Sequence, residues 1–356
     1  MRSRIVRLLF ALIGALTQVS LNLPANASDS WHVAAASVVS KEIRFSNGNV
    51  QLVGTLYMPE VGDHLPAMVA LHPALAATRE AGVFKHLRQG LPALGIAVLL
   101  YDRRGSGQSS GDRNRADFEM LADDAIAAQR ALAKIARIDA ARIGFWGLSQ
   151  GGWLAVLAAG RSPDAAFAIS VSAPLVTAET QMRFAMSNLL TLRGYSQSDV
   201  QEMLETRKAW NGYLHGANSR EAAIAALRKA ETKPWFDLAY LPKASQLAAD
   251  PEHDASRREL DDDPVTAVRK ARIPLLFLYG DSDPWVPVAE SAERLRLLSA
   301  ELHNIEYTIV PDANHEMMTP LQETMKVDEE STRNDAPQSP VYFMLMASWL
   351  ARHAGK

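Results

Sequence analysis

The chain contains no cysteine among its 356 residues. That absence excludes disulfide bridges, thiolate zinc sites, cysteine nucleophiles and a lipid-modified cysteine. The sequence also lacks an H-E-x-x-H motif and any comparable cluster of metal-ligating residues. We therefore expect neither a required metal nor another cofactor.

A strong imbalance of charge is also missing, since the formal net charge is -3. This value argues against a broad attraction to nucleic acid or to an anionic membrane, and no long basic stripe with interleaved aromatic residues occurs. Hydrophobic residues make up 48% of the chain and charged residues 22%, which is ordinary globular composition. At this length the chain can bury a substantial core in one large α/β domain or two smaller ones. The composition makes no prediction of oligomeric state.

The first 27 residues have the pattern of a secretory signal peptide. Arginines at positions 2, 4 and 7 precede a mostly apolar stretch over 8–23, and Ala25-Asn26-Ala27 supplies an A-x-A cleavage site. The alternative is an uncleaved membrane anchor, which the polar residues within 17–22 disfavour. We expect cleavage after Ala27, no stable membrane insertion afterwards, and a periplasmic or secreted protein.

The strand pattern changes character along the chain. Alternating residues over 38–45 and 50–57, joined by a turn at 46–49, predict an antiparallel hairpin. Continuous apolar runs follow, which indicate strands of a parallel sheet buried on both faces. These runs are 67–71, 96–101, 143–146, 166–171, 274–279 and 305–310.

Helical patterns separate most of these runs and predict a mostly parallel, doubly wound α/β sheet. The predicted helices of the sheet domain are 79–94, 117–135, 287–298 and 340–353. The interval 175–272 has no buried strand, yet it is too long and too patterned for a loop. Its helical segments, 198–214 and a second one ending near 230, predict an inserted helical cap. The predicted organisation is a signal peptide (1–27), a first part of the core (28–174), the cap (175–272) and a second part of the core (273–356).

One short stretch predicts a nucleophile elbow. Gly147-Leu148-Ser149-Gln150-Gly151 lies between an apolar run and a helix-forming segment, the strand–turn–helix layout in which one serine occupies a sharp turn. Glycines suit this turn because it leaves no room for side chains beside the serine and because glycine accepts unusual backbone angles.

A serine hydroxyl is a poor nucleophile until a base takes its proton, so Ser149 requires a histidine and an orienting carboxylate. Asp283 follows the run 274–279, and His315 follows the run 305–310. Both therefore lie where a doubly wound sheet places catalytic groups. Asp281 is the rival acid, and Asp312 and Glu316 are interpreted as surface or loop groups.

These motifs give the chain a resemblance to the α/β-hydrolase superfamily, in the bacterial serine-hydrolase group that includes carboxylesterases and serine aminopeptidase-like enzymes. The family's G-x-x-D-x-x-x-P segment maps onto Gly280, Asp283 and Pro287, and its late histidine maps onto His315. The family's D-R-R-G-x-G-x-S turn occupies 102–109. The resemblance implies an α/β-hydrolase fold with an inserted cap and a catalytic triad of Ser149, Asp283 and His315.

The turn at 105–110 nearly reads as a dinucleotide-binding motif, but Ser110 replaces its third glycine and no helix pattern begins there. We interpret the turn as structural, with Asp102 and Arg103 tying it beside the floor of the active site.

In this fold the oxyanion hole takes one N–H from the residue after the nucleophile and another from the loop after the third strand. The predicted donors are Gln150 and Ala74. Pro73 departs from the family's usual glycine and removes one N–H, while Ala74 and Leu75 keep theirs. His72 matches the histidine of the family's oxyanion loop, whose usual role is structural.

The predicted function is hydrolysis of a carboxylic ester through an acyl-enzyme, with a small-molecule ester or a short peptide-like compound as substrate. A peptidase or aminopeptidase, a lactonase and a thioesterase are alternatives on the same triad, and a non-catalytic binding protein is a remote one. A peptidase would need an acidic group in the cap, for which Glu179, Glu202 and Glu205 are candidates. Three cap residues are candidates for contact with substrate, and the alternative, favoured for each taken singly, is that it forms part of the cap's own core: Met182, Trp210 and Trp235.

Overall fold

The computed structural model describes residues 37–251, 257, 260, 262–319 and 338–354. The predicted signal peptide, residues 1–27, lies outside these residues. Eight strands form one sheet in the order β1-β2-β4-β3-β5-β6-β7-β8. The strands are β1 (Val38–Asn47), β2 (Val50–Pro59), β3 (Leu65–Leu71), β4 (Ala97–Tyr101), β5 (Ile138–Leu148), β6 (Ala168–Val171), β7 (Leu275–Gly280) and β8 (Ile305–Val310).

The pairing of the strands confirms the predicted mixture of directions. β1 and β2 form an antiparallel hairpin, with Asn47 opposite Val50, and β2 pairs antiparallel with β4. All the pairs from β4 through β3, β5, β6 and β7 to β8 are parallel. The parallel strands β3, β4, β6 and β7 are buried almost throughout, as continuous apolar runs require.

Nine α-helices are described in this part of the chain. They are α1 (Lys85–Gly90), α2 (Phe118–Leu132), α3 (Gln150–Arg161), α4 (Ala178–Leu192), α5 (Gln197–Leu214), α6 (Arg220–Ala230), α7 (Pro264–Lys270), α8 (Val288–Glu301) and α9 (Pro340–His353). Side-chain caps define several starts: Asp117 accepts from the Met120 N–H before α2, and Ser219 accepts from the Ala222 N–H before α6.

The predicted helix 79–94 is wrong in its length. Only Lys85–Gly90 is α-helical, between single 3₁₀ turns over 82–84 and 92–94. Pro92 lacks an N–H and starts the second turn, and Gly95 ends it with φ 82°. Gly90 is required for packing, because a Cβ there would overlap the Phe343 ring.

The helices cover both faces of the sheet. Leu121 of α2, Leu154 of α3 and Leu295 of α8 belong to one buried cluster, whereas Leu87 of α1 and Met346 of α9 belong to the other. The sheet is therefore doubly wound, and the carboxyl ends of its parallel strands meet at one edge.

The interval between β6 and β7 is helical, as the absence of buried strands predicts. It contains α4, α5, α6 and α7, and two apolar clusters of its own centred on Met186 and Trp210. α7 differs from the other three, because Ala267 and Val268 join the core cluster of the sheet. Throughout the part of the chain that the structure describes, no helix is long and apolar enough to cross a membrane.

Candidate active site

Ser149 lies on a sharp turn between β5 and α3. Its backbone has φ 56° and ψ -123°, a conformation that L-residues rarely adopt. The Ser149 N–H donates to the Val171 carbonyl at 2.8 Å, which ties the turn to the end of the neighbouring strand β6. Strain of this kind costs about 1–3 kcal/mol and persists only where the surrounding structure enforces it.

The two glycines of the elbow are required for close packing. A Cβ at Gly147 would overlap the Gly151 carbonyl, and a Cβ at Gly151 would overlap the carbonyls of Leu71 and His72. Neither glycine has a positive φ, so of the two reasons predicted for them only the lack of room applies. The residue with the unusual backbone angle is Ser149 itself.

Asp283 and His315 are in direct contact. His315 Nδ1 lies 2.8 Å from Asp283 Oδ2, and the other carboxylate oxygen accepts N–H bonds from Trp285 at 2.8 Å and Val286 at 3.2 Å. The buried Asp283 carboxylate therefore has a partner for each oxygen. The rival acid Asp281 is exposed and accepts from the Ser282 hydroxyl.

The loops after β7 and β8 are held together by their backbones. A Cβ at Gly280 would overlap the carbonyls of Ala313 and Asn314, and the Ser282 N–H donates to the Ala313 carbonyl at 3.1 Å. The Asn314 side chain then shapes the histidine loop, since its Oδ1 accepts from the N–H groups of Glu316 and Met318. Asn314 was not predicted, because its role depends on how the loop curls back on itself.

A cavity of about 440 Å³ brings the predicted site residues together. Ser149 and His315 line it, as do Gln150 and Ala74 from the two sides of the predicted oxyanion hole. Its other walls are mostly apolar and include Phe118, Trp153, Pro174 and Met318. A concave apolar site with a few convergent polar groups is the usual form of a small-molecule site.

Arg103 joins the two sides of that predicted oxyanion hole. Its Nη1 donates to Gln150 Oε1 at 2.9 Å, and its Nη2 donates to the His72 carbonyl at 2.9 Å. Asp102 braces the same turn by accepting from the N–H groups of Arg79 and Gln108. The structural interpretation of this turn agrees with these contacts.

His72 is completely enclosed beneath the oxyanion loop. Its ring packs edge-on against Phe84 and Tyr101 at centroid distances of 5.3 and 5.2 Å. Burial, together with the neighbouring Arg103 guanidinium, lowers the pKa of His72 to about 3. The imidazole is therefore neutral at physiological pH and supports the loop by packing.

Comparison with known proteins agrees with this architecture. Residues 68–229 match the sequence model of a family described as Serine aminopeptidase, S33. An esterase from Pyrococcus furiosus, Pf2001, has the same fold, with a TM-score of 0.59 and 17% identity over 90% of this chain and 93% of that one. The alpha/beta hydrolase GrgF from Penicillium sp. sh18 aligns with a TM-score of 0.53 and 18% identity over 90% of this chain and all of that one (100%). The chain has the fold of these α/β hydrolases, and its residues 68–229 are similar to the matched family.

The family match and one curated relative both cover part of the chain. The match over 68–229 includes Ser149 and ends before Asp283 and His315. The polyketide transferase claH of Penicillium crustosum is 32% identical over 132 residues, which span 36% of this chain and 42% of that protein. The chain thus matches less than half the length of that relative.

Of the three predicted substrate residues, one lies in the cavity wall. Met182 lines it, whereas Trp210 and Trp235 do not. Trp235 is fully buried in the apolar cluster around Met186, and Trp210 is buried in a second cluster with Leu227. The two tryptophans form the interior of the cap, which is the alternative that the sequence left open.

The acidic residues of the cap also lie elsewhere. Glu202 pairs with Lys229 and Lys233, and Glu179 lies 4.0 Å from His215. Glu205 accepts from Gln201 on the same helix. None of the three glutamates lines the cavity, so the described cap does not place the acidic group that a peptidase would need there.

Most residues of the cavity wall were not predicted as site residues, and three of them bear on the chemistry. Tyr240 comes from the cap, Trp285 follows the acid, and Glu316 follows the histidine. Glu316 lies in the loop after β8, as interpreted, and it also lines the cavity. Among residues 37–251, 257, 260, 262–319 and 338–354, no group of three or more acidic or histidine side chains is arranged to hold a metal ion.

Proposed function

We propose that the protein is a serine hydrolase that cleaves carboxylic esters with Ser149 as nucleophile. The family match and the fold support a hydrolase. The observation that carries the proposal is the 2.8 Å contact between His315 and Asp283 at the wall of a cavity that Ser149 also lines. Nucleophile, base and orienting acid are the three parts that acyl transfer requires.

In the first step, His315 takes the hydroxyl proton of Ser149 at Nε2 while Oγ attacks the ester carbonyl. Asp283 holds Nδ1–H and stabilises the imidazolium that forms. The N–H groups of Gln150 and Ala74 stabilise the oxyanion. When the tetrahedral intermediate collapses, the C–O bond to the alcohol breaks, and the imidazolium gives its proton to the leaving oxygen.

In the second step, water attacks the acyl-enzyme. His315 takes a proton from that water, and the new C–O bond forms as before through an oxyanion held by the same amides. Collapse breaks the bond between the acyl carbon and Ser149 Oγ, which recovers its proton from His315. The products are one carboxylic acid and one alcohol for each water consumed.

The lining of the cavity supports an ester as the substrate class. The walls are mostly apolar, and among the described residues that line the cavity Glu316 alone has a carboxylate. The cap glutamates that a peptidase would use pair with other groups outside the cavity. A neutral, largely apolar ester therefore suits the site better than a peptide with a charged terminus.

A fluorophosphonate probe tests this proposal because it reacts only with an activated serine. We expect the wild type to be labelled and Ser149→Ala to remain unlabelled, with a serine outside the cavity, Ser299→Ala, as the matched control. Rates on p-nitrophenyl esters should exceed those on aminoacyl-p-nitroanilides. A wild type that takes up no probe would overturn the serine-hydrolase proposal.

A second candidate function is transfer of the acyl group to an alcohol. The partial relative is named a polyketide transferase, and an acyl-enzyme can pass its acyl group to an alcohol as readily as to water. Product analysis with increasing methanol separates the two. Methyl ester formed in proportion to methanol at low concentration would favour transfer, whereas acid as the sole product would favour hydrolysis.

Export is a separate proposal that depends on residues 1–27. The arginines, the apolar stretch and the A-x-A site support cleavage after Ala27. Mass analysis of the mature protein from the periplasm or medium should find Ser28 at the N-terminus. Retention of Met1 on the mature protein would contradict cleavage.

A further inference from the structure

Tyr240 is an unusual residue in the wall of the cavity. It has φ 49°, in the left-handed region that bulky side chains rarely adopt. It is also 41% exposed, although Ala239 directly before it is fully buried. A strained, exposed aromatic residue at a binding site is a reason to look for a contact that the strain makes possible.

The segment before Tyr240 is held firmly in place. The buried Arg207 guanidinium donates to the Ala239 carbonyl, and the Tyr195 hydroxyl donates to the Pro234 carbonyl at 3.1 Å. Trp235 is fully buried, which anchors the segment in the interior of the cap. The backbone of Tyr240 is therefore set by its surroundings, and its side chain projects into the cavity wall from a fixed point.

A row of three rings runs from Tyr240 to the proposed base. The Tyr240 and Trp285 rings meet edge-on, with centroids 5.9 Å apart and planes at 79°. The Trp285 and His315 rings are 6.3 Å apart and tilted by 45°. Trp285 is itself fixed by the N–H bond to Asp283 and by a bond from Gln181 to its carbonyl.

The chemistry of His315 indicates which part of the substrate meets this row. In acyl transfer, the histidine gives its proton to the leaving alcohol, so the alcohol must lie beside the imidazole. Trp285 and Tyr240 form the aromatic part of the cavity wall that extends from the imidazole. Aromatic edges and faces prefer another aromatic ring over an aliphatic group of equal size.

We propose that Tyr240 and Trp285 form the alcohol-binding surface of the site and select esters of aromatic alcohols. This inference rests on the proposed function, because it assumes an ester and its leaving group. Tyr240 acts on the alcohol alone, and the acyl group contacts other parts of the cavity.

The test uses three butyrate esters with alcohols of similar acidity: ethyl, 2-cyclohexylethyl and 2-phenylethyl. We expect the wild type to prefer the 2-phenylethyl ester by kcat/KM.

Tyr240→Ala should lower kcat/KM for that ester about three- to tenfold, the range expected for loss of one aromatic pair, and leave kcat/KM for ethyl butyrate within about twofold. Tyr240→Phe should restore the preference. Phe184→Ala, a comparably exposed aromatic of α4 outside the cavity lining, is the matched control and should change neither ester.

Deacylation separates an effect on the alcohol from a general structural effect. All three esters give the same butyryl-enzyme after the alcohol has left. Because Tyr240 acts on the alcohol alone, the hydrolysis rate of this butyryl-enzyme should be equal in the wild type and in Tyr240→Ala. Equal losses on the ethyl and 2-phenylethyl esters, a slower deacylation, or no preference for phenyl over cyclohexyl would each overturn the inference. If Tyr240→Ala does not fold, Tyr240→Gly replaces it, since glycine accepts φ 49° freely.

Fluorophosphonate labelling of each variant distinguishes the two levels of the argument. Labelled protein without the aromatic preference overturns the alcohol-binding surface and leaves the serine hydrolase intact. An unlabelled wild type overturns the proposed function and the inference with it.

Discussion

Arg103 and Gln150 are joined by a hydrogen bond of 2.9 Å between the guanidinium and the side-chain oxygen. The same guanidinium holds the His72 carbonyl at 2.9 Å, so one buried cation spans the elbow and the loop that carries Pro73. Because Pro73 has no N–H, the position of this loop cannot be set by a backbone bond from that residue. Arg103 supplies the link by two charge-assisted bonds.

Replacing Arg103 should therefore weaken oxyanion stabilisation more than substrate binding. We expect Arg103→Met to lower kcat by about 10- to 100-fold with KM within about threefold, less than the roughly 10²–10³ that removal of an oxyanion donor costs. Arg103→Lys, with one point donor in place of a fork, should recover part of kcat. Steady-state kinetics on one p-nitrophenyl ester measure both constants.

The control for that prediction is Arg113, which is exposed and reaches the same loop through the Ala74 carbonyl at 3.4 Å. Arg113→Met should leave kcat within about twofold, as is usual for exposed polar contacts. A rise in KM with unchanged kcat in Arg103→Met would show that Arg103 serves binding and not the oxyanion.

The backbone of Ser149 predicts an unusual order of stability between two inactive variants. At φ 56° alanine keeps the strain and glycine relieves it, so Ser149→Gly should be more stable than Ser149→Ala by about 1 kcal/mol. The usual order inside a regular element is the reverse. Urea unfolding of both variants measures the difference. Equal stability, or a more stable alanine variant, would contradict the strain at the elbow.

Features that depend on chain order and local pattern could be predicted from the sequence, whereas features that depend on contacts between distant residues could not. Ser149, Asp283 and His315 were predicted to meet because chain order and strand ends alone place them at one edge of the sheet. Arg103 was interpreted as a structural residue of its turn, but its bridge between two loops could not be predicted, because it depends on distant backbone. The same holds for the positive φ of Tyr240.

In the cap, too, local pattern predicts a helix but not the packing of its side chains. The helix ending near 230 was predicted from its local pattern, and the structure confirms it, since α6 ends at Ala230. α4, in contrast, was not predicted. The aromatic residues Trp210 and Trp235 were candidates for substrate contact, but they form the cap's interior, which was the alternative. Nothing in a helical pattern tells which of two apolar neighbours a side chain faces.

Two histidines with lowered pKa values predict a loss of stability in mild acid. Burial lowers the pKa of His86 to about 3, as it does for His72, compared with the ordinary value near 6.5. Between these values the unfolded chain binds protons that the native state does not. The stabilisation is therefore complete above pH of about 6.5 and is lost as the pH falls toward about 3.

His86→Gln isolates one of these groups, because glutamine can still hydrogen-bond the Tyr342 hydroxyl that lies 3.1 Å from His86 Nε2. The slope of unfolding free energy against pH, measured between about pH 4 and 6, should be shallower in the variant by up to about 1 kcal/mol per pH unit. His303→Gln, which removes a histidine from the loop before β8, is the matched control. An unchanged slope in His86→Gln would show that His86 is protonated in the folded protein.

The two aspartates of the acid loop give the sharpest test of the proposed triad. Asp283 Oδ2 accepts from His315 Nδ1, whereas the exposed Asp281 bonds the neighbouring Ser282. Asn at 283 would present an N–H where the imidazole N–H points, which favours the wrong tautomer and removes the charge that stabilises the imidazolium. We expect Asp283→Asn to lower kcat by about 10³–10⁴ and Asp281→Asn by less than about threefold. Both substitutions remove one negative charge from the same loop, so the difference between them reports the contact with His315 and not the net charge. Comparable losses in the two variants would contradict Asp283 as the orienting acid.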